Sequence, residues 1–171
     1  MNNKLLLDYQ LSLDEKERSQ YWVPEENTVR VWIGETLNKI AHANPSELTV
    51  RIVGIPEITE LNITYRSKNS ATNVLSFPFE NVVELDVPLL GDIVICSEVV
   101  NNEAIEQGKS IESHWAHMVV HGCLHLCGFD HESYDQAKEM ETIEIAVLNN
   151  LGYIDPYKDI SLERGLENVE I

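Results

Sequence analysis

Three histidines at a regular spacing are the residues of this sequence best suited to chemistry. They lie in the segment His121-Gly-Cys-Leu-His125-Leu-Cys-Gly128-Phe-Asp-His131. Residues four apart on a helix share one face and lie about 6 Å apart along its axis, so His121 and His125 can bind one ion. Three protein ligands leave a fourth position for water, as in catalytic zinc sites. The pattern predicts a single Zn²⁺ ion bound by His121, His125 and His131.

The third ligand is chosen by reach. His114 and His117 also lie on the predicted helix, but adding His117 would spread the ligands over about 12 Å of helix axis. Zinc–nitrogen bonds of about 2.1 Å cannot span that distance. Gly128 can end the helix in a left-handed conformation, which lets His131 turn back to the same ion. Asp130 either orients a ligating imidazole or caps this loop.

The spacing H-x-x-x-H-x-x-G-x-x-H is that of the metzincin zinc proteases, with one difference. Metzincins carry their general base, a glutamate, directly after the first histidine, whereas Gly122 stands there in this chain. The ligand set is therefore retained without the base that peptide hydrolysis uses. We interpret the motif as the metal site of a hydrolase that is not an ordinary peptidase, and an atypical metzincin-like peptidase is the alternative.

A short basic segment gives a second indication of chemistry. Between Leu61 and Phe79 the sequence has no acidic residue, while Arg66 and Lys68 both fall there. A guanidinium is always charged and binds phosphate oxygens in a bidentate manner. Arg66 is therefore the candidate catalytic residue for a phosphodiester substrate, with a solvated arginine at a helix end as the alternative.

The composition restricts the class of protein. A net charge of −17 argues against nonspecific binding of polyanions, because such proteins usually carry a basic surface. The sequence shows no apolar run long enough to cross a bilayer and no secretory signal. Its three cysteines are odd in number and form no CxxC pair, which is typical of small buried residues in a reducing compartment. We expect a cytoplasmic protein with no membrane partner.

Apolar periodicity predicts the elements that position these residues. Strands are expected at residues 5–13, 48–54, 74–79 and 89–96. Helices are expected from Asn27 or Thr28, from Pro56, over 97–106, after Ser110 and over 134–150. The order shows no regular βα alternation, so we predict an α+β fold with a small mixed β-sheet packed with helices. We expect the zinc site to lie at the end of a buried helix. We expect one metallohydrolase domain, 1–157, and an acidic, mobile tail, 158–171.

Four segments in order resemble the bacterial YbeY family: Asn62-x-x-Tyr-Arg-x-Lys, Thr72-Asn-Val-Leu-Ser-Phe-Pro, Leu90-Gly-Asp-Ile-Val-Ile-Cys and the histidine motif. The resemblance runs from about residue 48 to 157. Members of that family are described as single-strand-specific, metal-dependent endoribonucleases that mature rRNA. The resemblance implies zinc on the three histidines and a functional role for Arg66. It also implies 16S rRNA processing, ribosome quality control, and contact with rRNA, ribosomal particles, ribosomal proteins and assembly GTPases.

Two questions stay open at this point. With glycine in the base position, proton removal falls to a metal hydroxide, a distant side chain or the RNA 2′-hydroxyl. A ribosome-assembly adaptor in which zinc only staples the helix to the following loop is the alternative from another functional class.

Overall fold

Within the described residues the sheet has four strands and is mixed. The structure is a computed structural model that describes residues 4–42, 45–80 and 89–158. Its strands are β1 (Leu5–Ser12), β2 (Ser46–Val53), β3 (Val74–Pro78) and β4 (Leu89–Cys96). They lie in the order β1-β2-β4-β3, in which β3 is antiparallel to β4 and the other pairs are parallel. The predicted small mixed sheet is confirmed, and the segment at 74–79 is an edge strand that ends at Pro78.

Six helices in the described residues accompany the sheet: α1 (Glu15–Gln20), α2 (Glu26–Lys39), α3 (Ile55–Arg66), α4 (Ser97–Glu106), α5 (Ile111–Leu126) and α6 (Tyr134–Asn150). The periodicity predicted all of them except α1. That helix has six residues and buries none of them, so it leaves no apolar period in the sequence. Its capping box, in which Asp14 and Glu17 bond each other's backbone N–H groups, is the local signal for it. The α+β class is confirmed.

The two faces of the sheet are covered differently. Helices α2, α5 and α6 form the main core together with one face of the sheet, and its largest buried side chains include Trp32 and Trp115. Helix α3 covers part of the other face and forms a small second cluster around Ile58 and Val94. Side chains alternate between faces along a strand, so neighbouring residues of one strand serve different layers.

Helix α5 lies at the centre of the main core. Ser110 caps its N-terminus by accepting a hydrogen bond from the Ser113 N–H, and eleven of its sixteen residues are buried. At its C-terminus Gly128 has φ +93°, and the N–H groups of Gly128 and Phe129 donate to the carbonyls of His125 and Leu124. This is a Schellman end, and it reverses the chain toward the helix. The predicted role of Gly128 is confirmed.

The limits of the domain stay a prediction. Of the expected tail, 158–171, all but Lys158 lies outside the described residues. Among the residues that are described, none of the helices has the length and apolar character that a bilayer span requires.

Candidate metal centre

The three predicted ligands converge at the end of α5. His121 and His125 project from the last two turns of the helix, and their Nε2 atoms are 3.1 Å apart. His131 follows the reversal at Gly128, and its ring centroid lies 5.5 Å from that of His121 and 4.9 Å from that of His125. One nitrogen of each ring lies within 4.8 Å of one nitrogen of the others. The fold therefore brings together the three histidines that the spacing selected.

This donor set fits a zinc ion. Two ligands of a tetrahedral zinc site with bonds of about 2.1 Å have their nitrogens about 3.4 Å apart, close to the separation found for His121 and His125. Burial lowers the pKa of His125, and the charges of His121 and His131 lower it further. The neutral imidazole is the form that binds metal. Metal binding by these residues stays a prediction, which the geometry permits.

A buried carboxylate that sequence reasoning missed lies behind the ligands. Glu144 on α6 is 1% exposed, and its Oε1 lies 3.5 Å from Nδ1 of His121. Its Oε2 accepts hydrogen bonds from His117 Nε2 and from the Tyr157 hydroxyl, the latter at 3.1 Å. Burial raises the pKa of Glu144, but hydrogen bonds and charge from His117 and His121 outweigh burial and bring it to about 2. An ionised Glu144 beside Nδ1 favours the tautomer whose Nε2 faces the metal.

Glu144 could have been noticed from the sequence. It shares the inner face of α6 with Met140, Val147 and Leu148, which are all buried, and an acidic residue inside an apolar stripe needs a partner. The partner, however, is on another helix, and no local pattern names it.

The same residues form a second group that could bind a cation. His117, His121 and Glu144 offer ligand atoms that also lie within 4.8 Å of one another. His117 lies too far along the helix to share an ion with His125. Its Nε2 forms a hydrogen bond with Glu144 instead. The first group faces an open cavity, whereas His117 and Glu144 are buried. A site that must admit substrate therefore fits the first group.

Arg66 lies on the cavity that the histidines line. This cavity has a volume of about 600 Å³, and its walls include Arg66, Ser76 and the three histidines. The Arg66 guanidinium donates to the carbonyls of Tyr65 and Ser76 at 3.2 and 3.0 Å, which holds the charge at the cavity rim. Lys68 is exposed and is not among the residues that line the cavity. Arg66 alone of the two basic residues is therefore placed beside the candidate metal site.

Gly122 has a packing reason to be glycine. A Cβ at this position would lie 2.8 Å from the Ile93 Cγ2 and 3.3 Å from the Ser76 Oγ. Helix α5 thus approaches β3 and β4 so closely that the position occupied by the base in metzincins faces the sheet. The described structure offers no space there for a glutamate, which agrees with the interpretation that the site is not peptidase-like.

Carboxylates and thiols also lie outside the three-histidine group. The Asp130 carboxylate accepts a hydrogen bond from the His131 backbone N–H at 2.7 Å, as the loop-capping alternative expects, and its Oδ1 lies 4.0 Å from Nδ1 of the His131 ring. Asp130 and Glu132 are the carboxylates among the described residues that line the cavity, so they are candidates for the distant base. Cys96 and Cys123 are buried, and Cys127 is half-buried; all three are free thiols outside the ligand sets.

Both the sequence and the fold are similar to those of known proteins. The family model described as Endoribonuclease YbeY matches residues 13–152. A curated Endoribonuclease YbeY from Pseudomonas syringae pv. syringae (strain B728a) is 53% identical over 150 residues, covering 87% of this chain and 89% of that protein. The solution structure of TM1509 from Thermotoga maritima has the same fold, with a TM-score of 0.54 and 24% identity over 90% of this chain and 99% of that one. The chain belongs to the YbeY family of endoribonucleases.

Proposed function

We propose that this protein is a zinc-dependent endoribonuclease that cleaves single-stranded RNA during late maturation of 16S rRNA and in ribosome quality control. Family membership makes the chain a hydrolase of RNA phosphodiester bonds. The observation that supports metal-dependent cleavage is the presence of His121, His125, His131 and Arg66 on one open cavity. The proposed roles in 16S rRNA maturation and quality control rest on the family resemblance. Proposed partners are rRNA and ribosomal particles, with ribosomal proteins and assembly GTPases, and the proposed location is the cytoplasm.

The three histidines would hold the metal, and Glu144 would orient His121 for it. A bound divalent ion supplies Lewis-acid activation of water and of a phosphoryl oxygen. Arg66 then binds the non-bridging oxygens of the scissile phosphate and stabilises the charge that develops on them. Because its guanidinium already donates to two backbone carbonyls, it meets the phosphate in a preset orientation. The chain's own part is thus to hold the ligands and to fix one cation at the rim.

Elemental analysis combined with an rRNA cleavage assay tests this proposal. Native protein should contain about one equivalent of zinc and cleave rRNA precursors, and His125→Ala should lose metal and cleavage together. His131→Ala provides a second variant, because His131 is exposed and its loss should leave the fold intact. Circular dichroism confirms folding of each variant.

Three outcomes would contradict the proposal. Cleavage that survives in both folded histidine variants would show that the RNA is cut without this metal site. Metal-loaded, folded native protein that leaves RNA intact would favour the adaptor with a structural zinc. Digestion of casein by the native protein alone, with no cleaved RNA, would favour the peptidase.

A further inference from the structure

A second groove lies on the face of the sheet opposite the candidate metal centre. It has a volume of about 520 Å³. Four residues of β3 line the cavity of the histidines, whereas Phe77 lines this groove: the four are Val74, Leu75, Ser76 and Pro78. The two cavities therefore flank the same edge strand.

Residues paired across three strands form the floor of the groove. Phe77 on β3 pairs with Asp92 on β4, and Asp92 pairs with Thr49 on β2. Helix α3 forms the wall, and Tyr65 at its end meets Phe77 edge-to-face with ring centroids 5.1 Å apart. The Tyr65 side chain is 59% exposed, so one aromatic platform stands open to solvent at the edge of the sheet.

Arg66 connects this platform with the catalytic cavity. Its guanidinium carbon lies 5.2 Å from the centroid of the Phe77 ring, while the same side chain lines the cavity of the histidines. A phosphate bound by Arg66 would therefore have the aromatic groove on one side and the candidate metal centre on the other. In a chain of nucleotides each phosphate likewise lies between two nucleosides, so one strand of RNA could occupy the groove, Arg66 and the cavity of the histidines in turn.

The charges in the groove suit a base and disfavour a phosphate. Asp92 is exposed on its floor, and Glu57 and Arg51 form a bidentate ion pair at 2.7 and 2.8 Å that neutralises both side chains. The positive charge of the neighbourhood, Arg66 and Lys68, belongs to the acid-free segment at the rim. Phosphates are therefore attracted to the rim, and an uncharged aromatic ring is the part of RNA that fits inside.

We propose that this groove is a subsite for one nucleobase of the substrate RNA, stacked on the Tyr65 ring and in contact with Phe77, next to the nucleotide that is cleaved. Stacking on exposed aromatic side chains is how proteins bind single-stranded RNA, whose bases are free to leave the stack. The inference rests on the proposed action on single-stranded RNA and adds a substrate contact to it. A base in a duplex cannot enter such a groove, which gives a physical reason for single-strand preference.

Asp92 gives the subsite a base preference. A carboxylate accepts hydrogen bonds from exocyclic amino groups, such as N4 of cytosine. Uracil has no such group, so cytosine is preferred over uracil at the position that occupies the groove. Asp92→Asn should reduce that preference without removing the stacking contribution.

A double-mutant cycle between the protein and the RNA tests the subsite. Zinc-loaded native protein and Tyr65→Ala are assayed on a short single-stranded RNA in which an abasic nucleotide is placed at each position in turn. Tyr65→Phe keeps the ring, and Tyr134→Ala removes an exposed tyrosine that lines neither cavity. Loss of one stacked base should raise KM about tenfold with little change in kcat.

The expected result is coupling at one position. At that position the abasic nucleotide raises the KM of the native protein about tenfold but does not change the KM of Tyr65→Ala. Tyr65→Phe and Tyr134→Ala respond as the native protein does. Equal effects of every abasic nucleotide on native protein and Tyr65→Ala would overturn the inference and leave the groove to a protein partner. If native protein does not cleave the RNA, the proposed function fails, and fluorescence anisotropy of the intact oligonucleotides still decides the coupling.

Discussion

At the scale of single residues, the candidate centre depends on side chains that do not bind the metal. Arg66 is fixed by two backbone carbonyls and by the Phe77 ring. Glu144 is held among His117, His121 and Tyr157. Each of these two residues has a counterpart elsewhere in the chain, with the same chemistry and no contact with the histidine ligands, and the counterparts serve as controls below.

Arg66→Ala should reduce cleavage while leaving the metal in place. The variant loses a cation fixed beside the scissile phosphate, and removal of one such stabilising group costs about 10²–10³ in kcat. Steady-state cleavage of single-stranded RNA measures the effect, and elemental analysis confirms the zinc content. Arg30→Ala is the matched control, because Arg30 is half-exposed and pairs with Glu26 on α2, away from the cavity. Native kcat in a metal-loaded Arg66→Ala protein would refute the role.

Glu144→Gln should weaken zinc binding about 10–100-fold, the usual effect of losing a carboxylate that orients a ligating histidine. Competition with a chromogenic chelator measures the dissociation constant directly, without reference to activity. Glu103→Gln is the control, since Glu103 on α4 contacts His114 of α5 at 3.2 Å and belongs to neither group of candidate metal ligands among the described residues. Equal zinc affinity in the two variants would show that Glu144 serves the fold alone.

At the scale of elements, the close contact of α5 with the sheet and the reversal after it produce the site. The histidine spacing predicted that the three rings converge, because a helix and a glycine end impose their geometry locally. It could not reveal Glu144, whose contacts join α5 to α6, nor the groove, whose floor joins Phe77, Asp92 and Thr49 from three strands. Helix α1 was not predicted for a different reason: it buries no side chain, so the sequence shows no apolar period there.

Gly122→Ala should destabilise the protein. Overpacking against Ile93 costs about 1–3 kcal/mol, and better helix propensity returns about 1 kcal/mol. Urea unfolding followed by circular dichroism measures the difference. Gly34→Ala on α2 is the control, because a Cβ there meets no atom within 4 Å among the described residues, and it should be neutral or stabilising by up to about 1 kcal/mol. Equal effects of the two substitutions would mean that α5 does not need glycine at this contact.

At the scale of the whole molecule, the protein is strongly acidic and yet acts on a polyanion. With a net charge of −17, RNA is attracted only where the sequence is locally basic. Arg66 and Lys68 are the cations of that segment, so few counterions leave the RNA on binding. If the proposals above hold, recognition would depend on the metal, one or two phosphates and the stacked base, with little contribution from a broad electrostatic surface.

RNA binding should therefore depend weakly on salt. Two neutralised phosphates on a single strand give a slope of about −1.4 in a plot of log Kobs against log salt concentration. Anisotropy titrations between low and physiological salt measure it, and Arg66→Ala should reduce the slope by about half. A slope several times steeper would show that more cations than Arg66 and Lys68 contact the RNA, and it would contradict this prediction.

Stability should fall at high pH because of Tyr9. Burial, with the charges of Glu26 and Glu25, raises the pKa of Tyr9 to about 12, and its hydroxyl donates to the Pro24 carbonyl at 2.6 Å. The folded state favours the neutral phenol, so this contribution is fully present below pH 10 and is lost as pH rises toward 12. Urea unfolding of native protein and Tyr9→Phe measures it: their difference in unfolding free energy should shrink across this range. A constant difference would contradict the assignment.

Zinc-edge anomalous diffraction from crystals of the native protein would locate the metal. We expect one strong anomalous peak within about 2.1 Å of a ring nitrogen of each of His121, His125 and His131, on the cavity that Arg66 lines. A peak among His117, Glu144 and Nδ1 of His121, or no zinc peak in zinc-loaded crystals, would contradict it.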